Sequence, residues 1–190
     1  MKNRALFLDR DGVINRDDGY VFEIEKFVFL EGVFELARAA KALGYLGVVV
    51  TNQAGIGRGY YSEADFCRLS DWMKGVFATE GAPIDRVYFC PTHPEHGVGR
   101  YKVESEFRKP NPGMILAAQR DFDLDLGASL LVGDKESDIQ AGLTAGVGTT
   151  LLVCEKSVSP AATTMANAVV RNPREVIQFL TGRESEVKPS

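Results

Sequence analysis

Short apolar runs alternate with amphipathic stretches along most of the chain, and this alternation constrains the fold more than any other feature. Ala5–Leu8, Leu46–Val50, Val87–Phe89, Leu130–Val132 and Gly148–Val153 read as strands buried on both faces. Between the first two, Val33, Leu36, Ala37, Ala40 and Leu43 recur at helical spacing, with Gly44 as the stop. Phe66, Leu69, Met73, Val76 and Phe77 give a second helix one apolar face, with Ser62 as its N-cap. Asn111 is placed to cap a third helix beginning at Pro112, and Ser137–Ala145 reads as a fourth. Ala168–Val170 adds an edge strand and Pro173–Leu180 a last helix. Strand, helix, strand in this rhythm predicts an α/β fold, a Rossmann-like doubly wound parallel sheet. With 190 residues, one domain over 1–181 is expected, followed by a polar tail over 182–190.

Charge narrows the function. Basic residues number 22 and acidic 26, a net charge of −4, which argues against a generally basic nucleic-acid binder. No apolar run is long enough for a membrane span, and Ala5–Leu8 is too short for the apolar core of a signal peptide. Cys67, Cys90 and Cys154 are odd in number and widely spaced, which suits a reducing compartment. A cytoplasmic, monomeric protein acting on a small molecule is the expectation.

The chemistry-bearing residues fall at strand ends. In a doubly wound sheet, the carboxyl edge builds the ligand site. The first strand leads into Asp9-Arg10-Asp11-Gly12, where strand alternation is expected to point Asp9 and Asp11 the same way, and neighbouring carboxylates there need a cation or a shared proton. The second ends in Thr51-Asn52-Gln53, followed by a glycine-rich stretch, Ala54 to Gly59, that suits an anion. Arg108-Lys109-Pro110 sets two cations before a helix start. The fourth strand ends in Gly133-Asp134, with Asp138 in the next helical turn, where the macrodipole favours a carboxylate. Taken singly, each group also reads as a solvated turn or a helix cap. Together they place carboxylates, a hydroxyl and a lysine on one edge. The long segments 10–32 and 91–110 flank the same edge as candidate substrate loops.

At these residues the chain resembles the haloacid-dehalogenase superfamily, over roughly Arg4 to Val153. The motifs are Asp9-x-Asp11-Gly12, Thr51-Asn52, Lys109 and Gly133-Asp134-x-x-x-Asp138. Asp18-Gly19-Tyr20-Val21, Thr51-Asn52-Gln53-Ala54-Gly55-Ile56 and Arg108-Lys109-Pro110-Asn111-Pro112-Gly113-Met114 resemble its heptose bisphosphate phosphatase branch, with the histidinol-phosphate phosphatases as close relatives. The resemblance implies a core without a large cap domain. It also implies Mg²⁺-dependent removal of a phosphate from a phosphorylated sugar, of the β-heptose 1,7-bisphosphate type, within nucleotide-activated heptose synthesis. The residues themselves leave the anomer open.

By the same resemblance, Asp9 is the nucleophile and Asp11 the general acid and base. Asp9, the Asp11 main-chain carbonyl and Asp134 hold Mg²⁺. Thr51 and Lys109 stabilise the phosphoryl group, with Asp138 in support. Asp17, Asp18, Gly19, Tyr20, Asn52, Gln53, Ala54, Arg108 and Lys135 contact substrate. Many members of the branch carry a zinc loop. Here Cys90 remains, but Thr92, Ser105 and Phe107 stand where the other three ligands belong, which argues against structural zinc. A rearranged set of Cys90, His93, His96 and Glu104 is the alternative. A phospho-signalling receiver domain shares the fold but needs an aspartate after the third strand, where Phe89-Cys90-Pro91 stands.

Overall fold

The computed structural model describes residues 2–154 and 164–181; the tail expected over 182–190 lies outside them. Six strands form one parallel sheet: β1 (Arg4–Leu8), β2 (Tyr45–Asn52), β3 (Arg86–Cys90), β4 (Leu130–Gly133), β5 (Thr149–Val153) and β6 (Ala168–Val170). Their order is β3-β2-β1-β4-β5-β6. The chain builds outward from β1 through β2 to β3, then returns to the other side for β4, β5 and β6. The crevice at this reversal, between the carboxyl ends of β1, β2 and β4, is where such sheets bind ligands.

Strand alternation divides the core into two layers. Leu6 and Leu8 of β1 face one side, with Val49, Val132 and Leu151, beneath the helices α1 (Val33–Ala42) and α3 (Glu63–Thr79). Ala5 and Phe7 face the other, with Val48, Val50 and Leu131, beneath α4 (Gly113–Phe122) and α5 (Glu136–Ala145). Phe7, Leu6 and Leu8 are essentially inaccessible. At about 1.5–3 kcal/mol for each large apolar side chain, this double burial makes β1 the anchor of the sheet. Asp9, the first residue past β1, is fixed by its amide donating to the Val132 carbonyl at 3.0 Å.

Most predicted elements stand within a residue or two of their expected limits, and three differ. The stretch Ala54–Gly57 is not an open glycine loop but a short helical turn, α2, packed beneath the 91–110 segment, whose Val98 amide donates to Gly57 O at 2.8 Å. Asn111 does not cap α4, which has Pro112 at its N-cap with no side-chain bond; the Asn111 amide donates to Ser105 O at 3.0 Å instead. The last helix begins with a 3-10 turn over Pro173–Val176 before α6 (Ile177–Thr181).

The loop spanning 91–110 is ordered by its own bonds. His93 N donates to Tyr101 O (3.0 Å), Gly97 N to His93 O (3.0 Å) and Arg108 Nη1 to the Thr92 carbonyl (3.1 Å). The His93 Nδ1 accepts the amides of Glu95 and His96 at 3.2 and 3.1 Å. Among the described residues, Cys90, His93, His96 and Glu104 do not converge as a ligand set.

Candidate active site

Lys109 is the centre of the site. It is 4% exposed, and its ammonium donates to Asp9 Oδ1 (2.9 Å) and the Val50 carbonyl (2.8 Å), with Asp138 Oδ1 at 2.7 Å. An ammonium has three donors, so Lys109 is saturated and its head is fixed. The other Asp138 oxygen accepts the amides of Asp134 and Lys135 at 3.2 and 3.0 Å. Asp138 therefore fills both roles its position allows. It closes the first turn of α5 and holds Lys109 against Asp9.

The carboxylates of Asp9, Asp134 and Asp138 bring ligand atoms within 4.8 Å of one another. Burial pushes the Asp9 carboxyl up, while the Lys109 ammonium pulls it back. Lys109 itself is raised: burial disfavours its charge, but Asp9 and Asp138 outweigh that. Asp134 is pushed up to about 7, first by burial and then by the charge on Asp9. Asp9 and Asp138 thus share the buried Lys109 ammonium, while Asp134 Oδ2 faces Lys135 Nζ at 3.4 Å. Asp134 Oδ1 is buried without a hydrogen-bond partner. Asp138 has spent both oxygens, so Asp9 and Asp134 are the carboxylates left for a cation. An oxygen-only donor set with excess negative charge fits a hard divalent ion such as Mg²⁺.

Asp11 stands apart from that cluster. β1 ends at Leu8, so strand alternation does not pair Asp11 with Asp9 as the sequence suggested; the chain turns, and Gly12 N donates to Asn15 O at 2.7 Å. The Asp11 carboxylate accepts from Arg10, Asn15 and Gln53. Thr51 is buried, and its hydroxyl accepts from Gln53 Nε2 at 2.8 Å.

A cavity of about 280 Å³ opens over these groups. Of the residues expected there, Asp9, Asp11, Asp17, Gly19, Tyr20, Asn52, Gln53, Ala54, Lys109, Lys135 and Asp138 line it. Asp17 forms a turn by accepting the Gly19 amide at 3.2 Å, and its other oxygen meets Lys135 Nζ at 3.2 Å. Thr51, Arg108 and Asp134 were expected there too but are not among its lining residues. Asp18 does not line it either, since it pairs at 2.7 Å with the exposed Arg16 and leaves the wall to its neighbours. Asn52 lines the cavity, but its side-chain amide is engaged with the main chain of Lys109.

Tyr61 and Ser137 also line the cavity without having been expected there. Tyr61 directly precedes the helix cap Ser62, a position with no signal of a role in the site. Its hydroxyl donates to Gln53 Oε1 at 2.5 Å, and burial pushes it up to about 12. Arg10 was likewise missed. A basic residue between two aspartates was the available signal, because their repulsion needs a cation.

The chain is similar to known proteins over most of its length. Residues 106–181 match the HAD-hydrolase-like family model. Over 182 residues, 96% of either chain, the sequence is 87% identical to a Burkholderia mallei protein named D-glycero-alpha-D-manno-heptose-1,7-bisphosphate 7-phosphatase. It is 47% identical over 181 residues, 95% of this chain and 97% of the relative, to the Vibrio cholerae D-glycero-beta-D-manno-heptose-1,7-bisphosphate 7-phosphatase. The crystal structure of D,D-heptose 1,7-bisphosphate phosphatase from B. bronchiseptica, complexed with magnesium and phosphate, superposes with a TM-score of 0.81. It is 29% identical, over 95% of this chain and 99% of that one.

Proposed function

The chain belongs to the heptose 1,7-bisphosphate 7-phosphatases of the HAD-like hydrolases, and on that premise we propose that it removes the 7-phosphate of D-glycero-D-manno-heptose 1,7-bisphosphate, with Mg²⁺ as cofactor and as a monomer in the cytoplasm. The relative at 87% identity is named for the α-anomer, which favours that anomer, a choice the residues alone left open. The observation that carries the chemistry is the buried Lys109 clamped between Asp9 and Asp138, beside the unpartnered Asp134 Oδ1.

In this reading an Asp9 oxygen attacks the phosphorus in line. The bond to the sugar oxygen breaks, and Asp11 gives that oxygen its proton. Water then attacks the aspartyl-phosphate, Asp11 takes the water's proton, and inorganic phosphate leaves with Asp9 regenerated. Asp9, Asp134 and the Asp11 carbonyl would hold Mg²⁺, which would supply charge neutralisation at the phosphoryl oxygens. Lys109 adds a fixed positive charge there, and the Thr51 hydroxyl a donor. Lys135, Asp17, Gly19 and Tyr20 form the rim against the sugar. For the second phosphate, Arg108 and Arg58 are suited, because among the described residues neither has a carboxylate partner. Arg58 lies 5.8 Å from the ring centre of Tyr20 on the cavity rim.

Phosphate release tests the reading, measured side by side from the α- and β-bisphosphates and from histidinol phosphate, with and without Mg²⁺. Mg²⁺-dependent preference for the α-bisphosphate supports it. Preference for histidinol phosphate moves the substrate while leaving the chemistry. Full activity in Asp9→Asn overturns the chemistry itself.

A further inference from the structure

Arg10 heads the fully buried side chains by volume, at 1% exposure, and none of the steps above uses it. Its guanidinium grips Asp11 with Nε at 3.1 Å from Oδ1, and with Nη2 at 2.8 Å from Oδ1 and 2.9 Å from Oδ2. The same Nη2 reaches the Val21 carbonyl at 2.7 Å, and the Phe66 ring lies 5.7 Å from its central carbon. Its back is therefore fixed by the protein, and its front holds the carboxylate. A planar fork of this kind dictates the orientation of its partner as well as its charge.

Two more donors complete the hold. Asn15 Nδ2 donates to Asp11 Oδ1 at 3.0 Å and is itself tied to Arg16 O at 2.8 Å. Gln53 Nε2 donates to Asp11 Oδ2 at 3.1 Å and to Thr51 Oγ1 at 2.8 Å. Tyr61 fixes which way that Gln53 amide points. Asp11 thus receives N–H donors from three side chains, while its own side chain stays 18% exposed toward the cavity. A purely structural ion pair has no need to leave its carboxylate at the reaction cavity. This one does, and it shares Gln53 with the hydroxyl proposed to stabilise the phosphoryl group.

We propose that Arg10 is a positioning residue that aims the Asp11 carboxylate at the leaving oxygen and the attacking water, an inference that rests on Asp11 being the acid and base. The distinguishing readout is leaving-group dependence. A sugar alkoxide needs a proton to depart, whereas p-nitrophenolate departs without one. General acid catalysis contributes typically ~10²–10⁴-fold, so misaiming the acid forfeits much of that on the sugar only.

The test compares kcat/KM for heptose 1,7-bisphosphate and for p-nitrophenyl phosphate in the wild type, Arg10→Gln, Arg10→Lys and Asp11→Asn. For Arg10→Gln a loss of about 10²-fold is expected on the sugar and less than about fivefold on the aryl ester, with KM little changed. Adding Arg10→Gln to Asp11→Asn produces no further loss. Equal losses on both substrates, or a lowered Tm with unchanged kinetics, overturn the inference. If Arg10→Gln does not fold, Arg10→Lys, which keeps the charge and removes the fork, is read the same way. If neither folds, the wild-type structure with orthovanadate decides. The fork on Asp11 persists there if Arg10 aims it, and is broken if it does not. Should Asp11→Asn itself lack the leaving-group signature, the reading of Asp11 fails first; should it show the signature while Arg10→Lys and Arg10→Gln do not, only the Arg10 inference fails.

Discussion

Gly12 lies so close to Asp134 that a β-carbon on it would sit 2.4 Å from Asp134 Oδ2. Its φ of 89° is also a conformation that side chains disfavour. The turn that carries the Asp11 carbonyl and the strand end that carries Asp134 are thereby packed against each other with no room for a methyl group. Gly12→Ala must push one of them away. The strained backbone alone costs about 1–3 kcal/mol. The expected outcome is a lower Tm together with a Mg²⁺ requirement raised at least severalfold, measured by titrating phosphate release against Mg²⁺. An unchanged Mg²⁺ midpoint would show that the two segments do not hold the cation jointly.

The Asn52 amide and the Lys109 main chain form a closed pair. Asn52 Nδ2 donates to Lys109 O, and Lys109 N donates to Asn52 Oδ1, both at 3.0 Å. With both ends engaged, Asn52 serves Lys109 more directly than it serves a sugar hydroxyl. Asn52→Ala frees the backbone beneath the lysine, and misplacement by about 1 Å can cost ~10²-fold. A fall in kcat of about that size with KM nearly unchanged is the expected result. A rise in KM at constant kcat would return Asn52 to the substrate contacts.

The sheet was legible because parallel strands buried on both faces leave continuous apolar runs, as in Ala5–Leu8 and Leu130–Val132. The metal and phosphoryl groups were legible because the fold puts them at strand ends, where their charge interrupts those runs. What stayed hidden depends on partners distant in sequence. Asn111 has the chemistry of a cap, but the 105–113 turn claims it, since Ser105 O is within its reach. Ala54–Gly57 looks like an open loop because its helical turn is stabilised by the Val98 amide, far along the chain. The burial of Arg10 stayed hidden because it depends on Val21 and Phe66, which no local pattern announces will enclose it. Likewise Asp18 and Asp17 are indistinguishable in sequence, and the neighbouring Arg16 separates their fates.

Removing the Lys109 charge leaves Asp9 and Asp138 buried without their shared partner. Breaking a buried pair in this way costs about 3–5 kcal/mol. Lys109→Met is therefore expected to lose phosphatase activity and to unfold at markedly lower urea. Added Mg²⁺ raises its midpoint more than it raises that of the wild type, because the cation relieves the same carboxylates. A variant as stable as the wild type without Mg²⁺ would mean that the burial of Asp9 and Asp138 does not depend on Lys109.

The 91–110 loop and the carboxylate cluster predict opposite responses to chelation. The loop is tied by Arg108 to Thr92 O and by His93 to Tyr101 O, without a convergent set of ligands among the described residues. Treatment with EDTA should abolish phosphate release, and Mg²⁺ alone should restore it fully. Protease sensitivity across residues 91–110 should not change through that cycle. Cleavage appearing in the loop on chelation, reversed by zinc and not by Mg²⁺, would assign a metal to the loop.

Helix α3 opens on a capping box: the Ser62 hydroxyl accepts the Asp65 amide at 3.1 Å, and Asp65 Oδ2 accepts the Ser62 amide at 2.9 Å. Ser62→Ala removes one side of it, at about 1 kcal/mol. The other side is pH-dependent. Hydrogen bonds from the Ser62 hydroxyl and amide, with help from Arg68, hold Asp65 down at about 2, below the 3.8 of a free aspartate. A carboxyl lowered on folding stabilises above its unfolded value, and that contribution is lost as pH falls toward the folded one. In Ser62→Ala the hydroxyl bond is gone and the depression is smaller. The gap between the urea midpoints of wild type and variant should accordingly be largest at pH 5 and narrow as pH falls to 2, where the pH-independent cap bond remains. A gap that stays constant between those pH values would place the whole effect in the Ser62 hydroxyl and none in the ionised Asp65.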